Sequence, residues 1–300
     1  MSTLKILTQT LFGLILAGRT QAHMADPVPL SAFIALPRPV PTIELQYGAA
    51  QAQAIDVFVP RGKGPHPVAI LIHGGCWTAS AAGREQLRHL GASLAQDGIA
   101  VWSIGYRRAD EAGGGFPGTY QDVGNALDQL VAAAASSKFD LSKAVVVGHS
   151  AGGHLALWAM SRPLLPSDSP LFRDKPFTPS RAVILAGIGD LQSFAPHMAR
   201  SCGPAIFDAL TARGSVLPQV SPQAMGAPKG SIVLLSGVLD RLVPPYMAHE
   251  YAIGLRQAPG LNLSLRNIEG AGHFDLVTPG TPAWRVVREE IDKALASPGQ

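Results

Sequence analysis

The stretch from Ala144 to Met160 constrains this chain more than any other. The run Ala144-Val145-Val146-Val147 leads directly into Gly148-His149-Ser150-Ala151-Gly152, and that pentapeptide opens the helical sequence Gly153-His154-Leu155-Ala156-Leu157-Trp158-Ala159-Met160. An apolar β-branched run, a sharp turn and a helix in direct succession make a strand-to-helix unit. Glycines two residues either side of Ser150 remove Cβ atoms that would collide with the neighbouring strand or helix. They also let the serine adopt a strained backbone that lifts its hydroxyl above the sheet, where a nucleophile is useful. With 32 glycines in 300 residues, G-x-S-x-G by itself arises readily by chance. Its weight therefore depends on what surrounds it.

Strand-like runs recur at 43–46, 54–59, 68–72, 99–104, 144–147, 182–185, 232–235 and 261–268, alternating with helical patterns at 83–96, 120–136, 152–160, 245–257 and 282–296. This alternation predicts an α/β fold: a mostly parallel eight-stranded sheet with helices on both faces, its first two strands forming an antiparallel edge hairpin. A chain that is 47% hydrophobic and 15% charged, with 32 Gly and 25 Pro, suits a large buried sheet joined by many turns. Two stretches interrupt the alternation, a Pro-rich loop at 163–179 and a segment at about 190–222 that reads as a small lid with short helical pieces.

The formal charge is +3, and removing Lys5 and Arg19 leaves 22 basic against 21 acidic side chains. Without a basic stripe the chain is not expected to bind nucleic acid. Lys5, the apolar core Leu11-Phe12-Gly13-Leu14-Ile15-Leu16-Ala17 and the small residues ending at Thr20-Gln21-Ala22 read as an export signal over residues 1–22. That core is shorter than the roughly 20 residues of a membrane span, so no stable span is expected after processing. An uncleaved anchor or an amphipathic helix is the alternative for this segment, and a cytoplasmic location is the alternative to export. Residues 23–42, with five prolines, read as an extended leader, and residues 43–300 as the catalytic domain. Cys76 and Cys202 are compatible with one disulfide or with two buried thiols. No metal-ligand spacing is visible among the nine histidines, so no metal is expected.

A serine hydroxyl at neutral pH needs a histidine to take its proton and a carboxylate to orient that histidine. Asp240 follows the run Ile232-Val233-Leu234-Leu235-Ser236-Gly237, where a strand ends, and His273 lies in Glu269-Gly270-Ala271-Gly272-His273-Phe274-Asp275, between the last strand and the last helix. The order Ser150, Asp240, His273 is one that α/β hydrolases use. Asp190, after an earlier strand, is the rival acid, and otherwise a turn residue at the entry to the lid. His73-Gly74-Gly75-Cys76-Trp77, directly after the strand at 68–72, supplies a loop whose Gly75 and Cys76 N–H groups, with that of Ala151, are expected to surround an oxyanion.

Together, His-Gly-Gly-x-Trp at 73–77, Gly-His-Ser-Ala-Gly-Gly-His-Leu-Ala at 148–156 and Ala-Gly-His-Phe-Asp at 271–275 resemble the α/β-hydrolase esterases of the hormone-sensitive-lipase, kynurenine-formamidase and feruloyl-esterase-like (BD-FAE-like) kind. The resemblance covers roughly residues 45–298. It implies an eight-stranded fold without a cofactor and acyl transfer through a serine ester. Tyr106-Arg107 resembles a pair in these esterases and is expected to hold the oxyanion loop, with substrate contact as the alternative. Trp77 and Phe274 are expected either to wall the substrate pocket or to pack in the core. His149 and His154 are expected to be buried and hydrogen-bonded, and Asp275 to bond locally. The expected activity is hydrolysis of small or aryl carboxylic esters, with a small-molecule ester as partner. Arylformamidase activity and a non-catalytic binding protein on the same scaffold are the alternatives, and oligomeric state is left open.

Overall fold

The structure is a computed structural model, and it describes residues 26–81, 83–135, 138–255 and 258–296. The export signal expected at 1–22 lies outside the described residues. Eight strands form one sheet: β1 (Ile43–Gln46), β2 (Ala54–Phe58), β3 (His66–Ile72), β4 (Ala100–Ile104), β5 (Phe139–His149), β6 (Arg181–Leu185), β7 (Gly230–Gly237) and β8 (Leu261–Ile268). Their spatial order is β1-β2-β4-β3-β5-β6-β7-β8. The pairs β1–β2 and β2–β4 are antiparallel and all the others parallel, so the edge hairpin and the parallel body both match the sequence reading.

Burial explains the composition of the strands. β4 and β6 are buried along their whole length, which is why, Ser103 and Arg181 apart, they are apolar throughout rather than alternating. β8, at the edge, alternates in exposure, and β1 at the opposite edge is exposed throughout. β5 begins five residues earlier than its apolar run, because residues 139 and 140 pair with His66 and Pro67 before a register shift.

Helices cover the sheet: α1 (Leu30–Ile34), α2 (Arg88–Gln96), α3 (Gly118–Ala134), α4 (Ala151–Ser161), α5 (Leu191–Ser201), α6 (Ile206–Thr211), α7 (Leu217–Val220), α8 (Pro222–Met225), α9 (Pro245–Leu255) and α10 (Pro282–Ala296). α4 is buried at every position, as a helix running under the middle of the sheet must be. α5 to α8 all fall in the 190–222 region and just beyond it.

The segment expected to be an extended leader is not extended throughout. It contains α1, and Phe33 on that helix is 4% exposed and joins the core. Prolines flanking at 29 and 37 hide this short helix from a reading based on composition.

From β3 the chain steps to β4 on one side, and its later strand β5 lies on the other. This reversal leaves a crevice at the carboxyl ends of β3 and β5, the place where open α/β sheets bind their ligands. Ile72 and Gly148 are paired there, so the loop after β3 and the turn after β5 start side by side.

Candidate active site

Ser150 sits between β5 and α4 at φ 55°, ψ −120°, a conformation that non-glycine residues adopt only when their surroundings enforce it. Its N–H donates to the Leu185 carbonyl at the end of β6 (2.9 Å), and its own carbonyl accepts from the N–H groups of Gly153 and His154. The flanking glycines are required by space. A Cβ on Gly152 would lie 2.1 Å from the carbonyl oxygen of Ile72, and one on Gly148 2.3 Å from that of Gly152. Ala151 is the first residue of α4, so its N–H is among those left without a partner inside the helix.

The loop after β3 is strained in a complementary way. Gly75, Cys76 and Trp77 all have positive φ, at 105°, 54° and 53°. Two of the interactions that hold it reach other parts of the fold through side chains. The Tyr106 hydroxyl donates to the His73 carbonyl (2.8 Å) while its ring stacks on the His73 imidazole at 4.3 Å, and Cys76 is bonded to Cys202 just after α5. Arg107 meanwhile pairs with the buried Asp122. Tyr106 thus supports the loop while Arg107 is engaged by Asp122, and the cysteine alternatives left open by the sequence resolve as a disulfide.

Asp240 lies three residues past β7 with its carboxylate fully buried. Oδ1 accepts from the N–H groups of Leu242 (2.8 Å) and Val243 (2.9 Å), and Oδ2 accepts from His273 Nδ1 at 2.7 Å. That bond assigns the His273 proton to Nδ1 and leaves Nε2 for other work. Asp190, the rival acid, instead caps α5: it accepts from the Gln192 N–H (2.9 Å) and from the Ser193 hydroxyl (2.6 Å).

Ser150, His273, Gly75, Cys76, Trp77 and Phe274 line one cavity of about 260 Å³. Trp77 is 1% exposed and also meets the His154 ring edge-on, so it is pocket wall and core at once. The remaining walls include Ile188, Phe194, Leu242 and Val243, and none of the described residues lining the cavity is Lys, Arg, Asp or Glu. The volume lies near the lower end of the ~300–1,000 Å³ common for small-molecule sites.

Buried histidines frame the site without charge. Burial pushes His73 and His154 down to about 3 and holds His149 well below its ordinary 6.5, where the neighbouring His273 also disfavours a second charge. His154 Nδ1 donates to the Ile188 carbonyl (3.2 Å) and its Nε2 lies 3.3 Å from the Tyr120 hydroxyl. His149 does more than satisfy itself: its Nε2–H donates to the His273 carbonyl at 3.1 Å.

Asp275 bonds locally, through Gly272 N–H (2.9 Å), but its Oδ2 also accepts from the N–H of Val28, 247 residues away (3.0 Å). The contributions of residues 28–34 and of His149 were missed by sequence reasoning. The only trace in the chain is the apolar Leu30, Phe33 and Ile34 set between prolines.

Comparisons with known proteins agree with this architecture. Residues 55–201 match the BD-FAE family. A kynurenine formamidase of Danio rerio is 28% identical over 152 residues, which is 50% of this chain and 47% of that one, so the match spans about half the length of that relative. The crystal structure of esterase B from Lactobacillus rhamnosis superposes with a TM-score of 0.71 at 20% identity, covering 89% of this chain and 90% of that one. Esterase 2 of Thermogutta terrifontis, phosphoramylated by tabun, gives 0.64 at 21% identity over 81% and 88% of the two chains.

Proposed function

Starting from an α/β hydrolase of the esterase and formamidase-like family, which is what this chain is, we propose that it hydrolyses small or aryl carboxylic esters through an acyl-serine intermediate. Ser150 Oγ attacks the ester carbonyl while His273 Nε2 takes the hydroxyl proton, and Asp240 holds the imidazole in the tautomer that can accept it. The N–H groups of Gly75, Cys76 and Ala151 stabilise the tetrahedral oxyanion, each worth about 3–4 kcal/mol in comparable sites. The carbon–oxygen bond breaks, the alcohol leaves with the proton from His273, and a water deprotonated by His273 releases the acid and restores Ser150. The reading is carried by one observation: His273, bonded to the buried Asp240, and the strained Ser150 open on the same largely apolar cavity.

The lining of that cavity favours an ester over the formamide of an amino acid. N-formylkynurenine carries an ammonium and a carboxylate, and burying them without partners is costly. No charged side chain among the described lining residues supplies those partners. A neutral ester with an apolar arm needs none.

The same proposal includes export. It rests on the N-terminal pattern at 1–22 and on a disulfide, which persists in oxidising compartments. N-terminal sequencing of the mature protein checks it, and an intact Met1 would refute it.

Activity is tested with p-nitrophenyl butyrate and N-formylkynurenine side by side, on the wild type and on Ser150→Ala. The wild type is expected to turn over the ester at least tenfold faster, the variant neither substrate, and a fluorophosphonate to label only the wild type. Unchanged ester turnover in Ser150→Ala would remove the serine from the mechanism, and preferred hydrolysis of the formamide would replace the ester.

A further inference from the structure

The geometry points to the N-terminal strap, residues 27–36, as the wall that sets which acyl groups enter the cavity, with Phe33 limiting its depth and Leu30 and Ile34 forming its lip. This rests on the ester-hydrolase reading above and goes beyond it by assigning selectivity to a segment outside the β/α body. Leu30, Phe33 and Ile34 border the same cavity as Ser150 and His273. Phe33 is buried and stacks on Phe274 with ring centroids 5.1 Å apart, the residue directly after His273, while its other side meets His89 edge-on at 5.8 Å.

The strap is held in register with the catalytic loop. A single oxygen, Asp275 Oδ2, accepts from Val28 N–H at the start of the strap and from Gly272 N–H beside His273. A Cβ on Gly272 would lie 2.7 Å from Pro27 Cβ, so the two segments are in direct contact. Leu30 and Ile34 are 50% and 43% exposed, and two apolar side chains half open to water at the mouth of an apolar cavity favour an uncharged, hydrocarbon-rich chain passing between them. The substrate class that fits is therefore an ester whose acyl arm is neutral and of limited length, the limit being imposed by Phe33.

The test compares kcat/KM across p-nitrophenyl acetate, butyrate, octanoate and decanoate. In Phe33→Ala the ratio of octanoate to butyrate should rise about tenfold or more, since filling or emptying a few methylene-sized sites in an apolar pocket changes selectivity by that order. In Ile34→Trp and Leu30→Trp, where half-exposed positions make misfolding a small concern, the same ratio should fall severalfold, with the change carried by KM of the longer esters. Equal factors across the whole series in all three variants would show that the strap only supports the fold and would overturn the inference. If the wild type hydrolyses none of the esters, the ester reading itself fails and takes the strap assignment with it.

Discussion

The Nε2 of His149 lies 3.1 Å from the carbonyl oxygen of His273, the two rings being 4.5 Å apart. The residue before the proposed nucleophile thus holds the backbone of the proposed base. Since the carbonyl can only accept, the imidazole must donate from Nε2, and a neutral ring suffices for that. The arrangement fixes the loop after β8 relative to the turn after β5, across the intervening strands β6 and β7.

Replacing His149 by Leu leaves that buried carbonyl without its donor, and should cost about 1–3 kcal/mol of stability. kcat for a short ester should fall along with it, because the base is less well placed. His149→Gln, which keeps a donor, should recover part of both. Chemical denaturation and steady-state kinetics check this, and a wild-type kcat in His149→Leu would show that the contact is incidental.

Acid should destabilise this fold through its buried histidines. In the folded state His73 and His154 are pushed down to about 3 and His149 is held well below 6.5, each chiefly by burial, whereas in the unfolded chain all three bind a proton near 6.5. The unfolded state then holds more protons, so stability rises with pH over that range and is lost as pH falls below about 6.5. Each imidazole contributes up to about tenfold in the folding equilibrium constant per pH unit. Urea unfolding at pH 7.5, 6.0 and 5.0 measures it, and a flat profile would contradict the buried neutral state.

Asp240→Asn should keep the shape of the loop while removing the charge that orients and stabilises the His273 imidazole. The expected loss in kcat is about 10⁴-fold, as for the equivalent change in comparable triads. Asp190→Asn should leave kcat within about twofold, since Asp190 serves the first turn of α5. The opposite ranking would return Asp190 to the role of acid.

The bond between Cys76 and Cys202 spans 126 residues and ties the proposed oxyanion loop to the end of α5. Cys202→Ser should lower stability by about 2–5 kcal/mol. It should also lower kcat, since the positive-φ conformation at Cys76 loses an anchor. Reduction of the wild type by dithiothreitol should reproduce both effects. A melting temperature indifferent to reductant would mean that the bridge does not form in solution.

Gly152→Ala should damage the fold itself, by about 1–3 kcal/mol or more, because the nearest atoms to the added methyl are the backbone carbonyls of Ile72 and His73, which cannot rotate away. A thermal melt within a degree of wild type would mean that β3 yields more readily than its central place in the sheet suggests.

Much of this protein was readable along the chain. Ser150, Asp240 and His273 each stand within a few residues of a strand end, where apolar runs give way to glycine-rich or polar turns, so the local pattern alone marks them as groups at the carboxyl rim of the sheet. β1 and β8 begin and end where the apolar pattern does. β5 does not, because its early residues pair through backbone bonds to β3 and carry no apolar signature.

What the linear order determined is chemistry and local geometry: the residue types, the elbow forced by paired glycines, and the alternation that makes a parallel sheet. Tertiary structure alone decided the strap over the pocket, the Cys76–Cys202 bond, the Val28–Asp275 tie and the choice between Asp240 and Asp190 as partner of His273. The reason is physical. Hydrophobic periodicity and turn chemistry act over a few residues, whereas these contacts join positions that lie far apart in sequence and become neighbours only once the whole sheet has been assembled and has set where each strand end points.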